Sequence, residues 1–296
     1  MTGDQIDRVR CFHRLVTKRA GALDDHFLGR DRPLGESRVL FEIGGDGATL
    51  RDLRARLGLD SGYLSRLVQS LCDRGLVTLR AHDADERVRR AQLTRIGRAE
   101  LREVNRRSDH VARDILAPLT ATQRERLTKA MDEVRRLLEV AGARFEVVDP
   151  RAGDAQWCLA QYYGELANRF DGGFDPGKSM PVDDAELRPP RGAFVIGRID
   201  GRPVACGLLK QLTPRIGYLK RMWVSPSMRG CGFGRRTLEE LESHARRLGM
   251  TTLRLETNRA LTEAIQLYRA SGYREVAAFN DERYAHHWFE KRLSRR

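Results

Sequence analysis

Between Ile216 and Leu248 the chain reads as a strand, a glycine turn and a helix in direct succession, and few folds use that order. Ile216 to Val224 is an apolar run of strand length. Pro226 marks a turn, and Arg229-Gly230-Cys231-Gly232-Phe233-Gly234-Arg235 follows. Leu238, Leu241, Ala245 and Leu248 then share one face of a helix. Glycines let the backbone turn tightly and bring amides close to an anion. The positive end of the helix dipole, with Arg229 and Arg235, favours the negative charge. The stretch is therefore an anion cradle. A Walker loop is excluded, because no Gly-Lys-Ser/Thr follows the glycines. A Rossmann dinucleotide loop needs an acidic residue closing the next strand, and Glu256 stands at about that place, so spacing alone leaves it open.

The pattern Arg229, Gly232, Gly234 resembles motif A of the GNAT superfamily of acyl-CoA-dependent N-acetyltransferases. Leu253 to Asn258, and then Ala264 to Tyr273, resemble motif B in the same order and at the family's separation. The resemblance covers the last half of the chain. It implies that backbone groups of Met222, Trp223 and Val224 pair with the pantetheine arm of acetyl-CoA. It also implies that Arg229, Gly230, Cys231, Gly232, Phe233, Gly234 and Arg235 hold the diphosphate, that Asn258 contacts the cofactor arm, and that Tyr268 is the acid to the departing thiolate. Many relatives carry Glu where this chain has Tyr218, which removes the usual base. Glu256 is then a candidate base, acting through water, or else a structural partner of a nearby arginine. His286-His287 would face the acceptor only as a secondary option.

Composition limits the rest. The 296 residues suffice for two ordinary domains. No apolar run approaches the roughly 18 residues of a membrane span, and Met1 to Ala20 has no signal-peptide core. Five scattered cysteines without a CxxC argue for a reduced, cytoplasmic setting and against a metal site. The net charge of +13 suits an anionic partner, but the excess is shared by both halves and does not say which half meets it.

The N-terminal half supplies a reader for such a partner. Gln5 to Leu28 carries a helical apolar pattern and Ser37 to Ile43 a second. Thr49 and Asp52 form a capping box ahead of Leu50, Leu53 and Leu57, and Gly58 closes that helix. Asp60 caps the next, whose buried stripe is Leu64, Leu67, Val68 and Leu71. That leaves Ser61, Tyr63, Ser65, Arg66 and Gln69 outward. Two strands, 75–80 and 90–94, flank a polar loop from His82 to Arg89. A helix-turn-helix followed by such a hairpin is a winged helix. Leu34 to Thr94 resembles the MarR family of regulators, including its Asp85-x-Arg87 wing. The resemblance implies that the exposed face of the second helix reads or positions duplex DNA in the major groove, and that Arg87 enters the minor groove.

Two long helices, 96–116 and 122–141, follow. In the resembled family such helices, with the N-terminal one, form a homodimer that binds a roughly palindromic operator. The expectation is thus two domains: a mostly α, MarR-like winged helix-turn-helix over 1–142 and an α/β (α+β) GNAT fold over 143–296. Its activities would be regulation and acetyl transfer to an amine. The alternative is a regulator whose GNAT domain senses an acyl-CoA or small amine without turnover.

Overall fold

The computed structural model describes residues 2–24, 26–82, 85–180 and 184–294. The chain divides into two compact units, Met1–Lys129 and Ala130–Arg296. In the first, helices α1 (Gly3–Arg19), α2 (Leu34–Ile43), α3 (Leu50–Leu57) and α4 (Ser61–Asp73) precede a hairpin of β2 (Val77–His82) and β3 (Asp85–Leu93) and the long α5 (Arg95–Leu116). A two-residue strand β1 (Ala48–Thr49) adds to β3 and was not evident in the sequence. The local signals act as expected. Thr49 accepts from the Asp52 amide, Gly58 ends α3 in the left-handed region, and Asp60 accepts from the Tyr63 amide. Leu64, Leu67, Val68 and Leu71 pack with Val39, Leu40 and Leu53 into one core. Gly97 allows α5 to start against β2, since a Cβ there would sit 2.0 Å from the Leu76 carbonyl oxygen.

Two expectations change. The first helix ends at Arg19 rather than Leu28, where Gly21 turns into positive φ. The supposed loop from His82 to Arg89 is largely strand, with Ala81 opposite Arg89 and His82 opposite Asp85. A ribbon with polar residues along both faces lacks the period-two apolar signal that marks a strand in sequence.

Helix α6 (Ala121–Gly142) leads into the second unit. There β4 (Arg144–Val148), α7 (Gly153–Arg169), β5 (Gly192–Ile199), β6 (Arg202–Thr213), β7 (Ile216–Val224), α8 (Phe233–Arg247), β8 (Thr252–Thr257), α9 (Thr262–Ala270), β9 (Arg274–Val276) and β10 (His287–Arg292) follow. The strands form one sheet in the order β4-β5-β6-β7-β8-β10-β9. One face packs against α8 and α9 through Leu219, Leu241, Leu255 and Phe289. The other packs α7 through Cys158, Phe194, Leu208 and Trp223.

The site is created by a defect in this sheet. The only parallel pair among the described strands, β7 and β8, is joined for three positions, from Ile216 opposite Thr252 to Tyr218 opposite Arg254. Beyond them β7 slips register against β6 between Cys206 and Leu208, and Arg221 adopts φ 54°. A bulge bends its strand away from its neighbour. The two strands therefore part, and side chains from both enter the gap. β9 and β10 are not joined by a tight turn. Residues 277–286 form no strand and instead bring Asn280, Glu282 and Tyr284 toward that gap.

Candidate functional site

The cradle lies where β7 ends. A single helical turn at Pro226–Met228 leads to Gly230 (φ 77°) and Gly232 (φ 80°), and open space lies where either would carry a Cβ. Gly232 is the N-cap of α8 and offers no side-chain cap. The first amide of this stretch to find an acceptor is that of Arg236, on the Gly232 carbonyl. Among the described residues no amide from Gly230 to Arg235 donates to a protein group. Six adjacent donors at a helix N-terminus without a partner fit a diphosphate. Arg235 is exposed and carries no ion pair, so it is free to join them. Arg229 is occupied: its Nε donates to the Val224 carbonyl at 3.0 Å, and its guanidinium pairs with Glu165. Phe233 and Trp223 turn their rings into the core, Phe233 against Phe145 and Trp223 edge-on to Trp157. Cys231 is half-buried over the Arg229 carbonyl.

From the cradle a groove runs along Met222, Trp223 and Val224 to Leu261, Leu267 and Tyr268. Met222 and Tyr268 also line a second, smaller pocket, and so mark where the two meet. The Tyr268 hydroxyl lies 3.9 Å from the Met222 sulfur. Burial, and then the charge of Glu256, raise the Tyr268 phenol far above its ordinary value. It therefore keeps its proton at any physiological pH.

The second pocket holds a buried charge cluster. Lys220 Nζ stands 3.1 Å from Glu282 Oε2 and 3.5 Å from Glu256 Oε1. Glu282 Oε2 also accepts from the Ser179 hydroxyl and the Met180 amide. Glu256 Oε2 and Glu282 Oε1 are buried without a hydrogen-bond partner. Burial raises the Glu256 carboxyl, with Lys220 and the nearby Tyr218 hydroxyl pulling the other way. Burial would raise Glu282 too, but the Met180 amide, Lys220 and Ser179 bring it below its ordinary value. Tyr218 is buried, accepts from Asn280 Nδ2 at 2.8 Å, and has its phenol raised by burial and then by Glu256.

The structure thus brings together Met222 to Val224, the glycine turn and Tyr268 in one groove, with Glu256 beyond Tyr268. Asn258 is placed otherwise. Its Nδ2 donates to the Tyr284 carbonyl and its Oδ1 accepts from the Ala260 amide, so both ends of the amide are engaged within the protein. His287 Nδ1 lies 2.6 Å from Glu275, and His286 lines a separate surface pocket. The sequence reading missed Lys220, Glu282 and the rings of Tyr163, Phe170, Phe174 and Tyr284. The density of aromatics between Tyr162 and Phe174 was the available signal.

In the first unit Ser61, Tyr63, Ser65, Arg66 and Gln69 are all exposed on the face of α4 opposite its core stripe. Ser65 donates to the Ser61 carbonyl, Gln69 to Asp73, and the Arg66 guanidinium lies 5.7 Å from the Tyr63 ring centroid. Arg80 and Arg89 are exposed on the hairpin, while Arg90 reaches the Asp46 carbonyl. The side chain of Arg87 lies outside the described residues.

A sheet split between parallel strands, with an amide cradle at the mouth of the split, defines the acyl-CoA-dependent acyltransferases. Residues 160–273 match the acetyltransferase (GNAT) family, and residues 29–88 match the MarR family. The chain is 35% identical over 131 residues to an "IAA acetyltransferase" of Azospirillum brasilense, a match covering 44% of this chain and 85% of that protein. Among solved structures, a protein of Klebsiella pneumoniae subsp. pneumoniae assigned to the acyl-CoA N-acyltransferases is 25% identical. It spans 52% of this chain and 99% of its own, with a TM-score of 0.45. A GNAT-family acetyltransferase of Staphylococcus aureus is 16% identical over 52% of this chain and 100% of its own, with a TM-score of 0.44. The chain belongs to the GNAT acetyltransferase family and carries a MarR-family domain ahead of its transferase domain.

Proposed function

We propose that the chain is a DNA-binding regulator that also acetylates an amine with acetyl-CoA. The observation that carries the transferase half is the run of unpartnered amides from Gly230 to Arg235, continuous through the groove with Tyr268 and the Glu256 pocket. When bound, acetyl-CoA supplies an acetyl group as a thioester. The amides of Gly230 to Arg235, with Arg235, would hold the diphosphate. Backbone groups of Met222 to Val224 would align the arm beside Tyr268. Tyr268, kept protonated by burial, holds a proton at Oη where a departing sulfur needs one. Glu256, whose carboxyl is raised by burial, takes the proton the amine must lose. Asn258 acts through the backbone it pins, between Tyr284 and Ala260, rather than through a free amide.

For the first unit the support is the exposed polar face of α4 beside a hairpin rich in arginine. Ser61, Tyr63, Ser65, Arg66 and Gln69 would meet the major groove, and Arg87 the minor. Helix α1 buries none of its residues within the chain and exposes Ile6, Val9, Phe12, Leu15 and Val16. That stripe supports a homodimer and hence a roughly palindromic site on double-stranded DNA. No helix among the described residues is long and apolar enough to cross a membrane. All five cysteines are free thiols, which supports a cytoplasmic setting.

Calorimetry with acetyl-CoA, followed by mass spectrometry of an amine panel, tests the transferase. Tight binding with a mass gain on at least one amine is expected. Binding without any turnover would favour the sensor instead. Salt-dependent binding to DNA upstream of the chain's own gene tests the regulator.

A further inference from the structure

The walls of the acceptor pocket differ in chemistry from one part to another. One part is charged: Glu256 and Glu282 each present a buried oxygen with no partner, and Lys220 is shared between them. Another part is aromatic. Phe174 stacks on Tyr163 at 5.8 Å, and meets Phe170 at 5.8 Å and Tyr284 at 4.8 Å. Between these chemistries stands Arg221. It reaches the pocket through the positive-φ bulge of β7, lies 5.5 Å from the Tyr163 ring centroid, and has no carboxylate partner among the described residues. Arg221 and Glu256 line the same pocket, together with Tyr162.

Building on the transferase reading above, we propose that the acceptor is an α-amino acid with a large apolar, preferably aromatic, side chain. Its ammonium would face Glu256 and Glu282, its carboxylate Arg221, and its side chain the rings of Tyr163, Phe170, Phe174 and Tyr284. Charge balance argues for this class. The charged side chains lining the pocket are Lys220, Arg221, Glu256 and Glu282, two of each sign. A zwitterion enters such a pocket without leaving a net charge in a low dielectric. A polyamine, a lysine side chain or a bare arylalkylamine would add an uncompensated cation beside Lys220 and Arg221. A neutral apolar ligand would strand the two carboxylate oxygens, at about 1–3 kcal/mol each. In the transfer a carbon–nitrogen bond forms and the carbon–sulfur bond breaks. The nitrogen loses two protons: the ammonium releases one to water on becoming a neutral amine, and the other passes through Glu256 to water. The sulfur gains one from Tyr268, which takes one back from water, so that one proton is released overall.

The test uses the full chain with acetyl-CoA and reads thiol release and product mass. Phenylalanine, tryptophan and leucine are each compared with their decarboxylated amines, and with alanine, glutamate and spermidine. A charge-assisted pair to Arg221 predicts kcat/KM about tenfold to a hundredfold higher for the amino acids than for the matching amines. Arg221→Gln should narrow that preference by raising KM for the amino acids more than it lowers kcat, and Arg221→Lys should restore part of it. Equal rates for amino acids and bare amines, or a preference for spermidine, would overturn the proposal and leave the transferase standing. The absence of any turnover while calorimetry still shows acetyl-CoA binding would overturn the proposal and favour the sensor reading. Loss of acetyl-CoA binding itself would overturn the transferase reading beneath it.

Discussion

Replacing Lys220 by Met tests whether the buried charge cluster is a balanced unit. Lys220 is almost fully buried and stands 3.1 Å from Glu282 and 3.5 Å from Glu256. At an effective dielectric near 20, each contact is worth about 5 kcal/mol of gross attraction. Desolvation of three ions offsets much of that sum. What remains on removing one partner of a buried pair is typically about 3–5 kcal/mol, because the abandoned carboxylates have no substitute. All three tryptophans (Trp157, Trp223 and Trp288) lie in the second unit, so tryptophan fluorescence in urea follows that unit alone. Lys220→Met should lower its unfolding free energy by about 3 kcal/mol near neutral pH. Adding Glu282→Gln should recover roughly half, since one of the stranded charges is then gone. The pH dependence has a definite sign. Without Lys220 the folded-state pKa of both carboxyls moves up, and that of Glu256, already raised by burial, moves further above the unfolded value of about 4.3. The variant is then nearest the parent in acid and falls behind as pH rises past that value. A loss below about 1 kcal/mol at neutral pH, or no recovery with Glu282→Gln, would refute the argument that these charges are desolvated together.

Tyr268→Phe should lower kcat by about tenfold to ten-thousandfold, the range of a lost proton donor, with acetyl-CoA affinity by calorimetry little changed. The rate should rise with pH as Glu256 loses its proton, through a value above the ordinary carboxylate range, and show no fall from Tyr268 in the neutral region. In Glu256→Gln the limb that remains should be that of the amine alone. Gly232→Val forces a β-branched residue into φ 80°, at about 1–2 kcal/mol of strain, and should weaken acetyl-CoA binding measurably in the same titration. Arg66→Ala should weaken DNA binding on all sequences and reduce the slope of log affinity against log salt by about 0.9 if Arg66 meets a phosphate.

How far the sequence could be read depended on the range of the interaction concerned. Caps and stripes are local, so the Thr49 and Asp60 caps, the Gly58 stop and the α4 stripe all stand where their residue types require. The glycine turn was legible for the same reason: Gly230 and Gly232 act through their own φ. The pocket proposed for the acceptor was not legible, because it is assembled across the sheet. Lys220 comes from β7, Glu256 from β8, Glu282 and the Tyr284 ring from the stretch after β9, and the other rings from α7 and the segment beyond it. None of those spacings is periodic. Asn258 and His287 show that residue type alone does not say where a side chain's bonds go. Each belongs to a residue type that suits a site, yet Asn258 is spent on Tyr284 and Ala260, and His287 on Glu275.

Tyr218 stands where the resembled family often carries a glutamate base, and on the reading proposed above Glu256 takes that role. A glutamate at that position would place a third carboxylate beside one lysine, in a region where Glu256 is already raised by burial. Tyr218 instead fills the position with a buried ring that Lys220 approaches to 5.2 Å, and Asn280 holds its hydroxyl. The residue across the parallel register is Arg254, and Glu256 lies two positions further along β8, beyond the point where the strands part. Only past that point can a side chain from β8 reach the gap that Tyr268 and Met222 border. Glu256 on β8 and the bulge at Arg221 on β7 therefore both lie beyond the last paired position of the two strands. A variant that restored Tyr218→Glu without removing Glu256 should raise the pKa of one carboxyl further, and shift the rising limb of the pH–rate profile to higher pH.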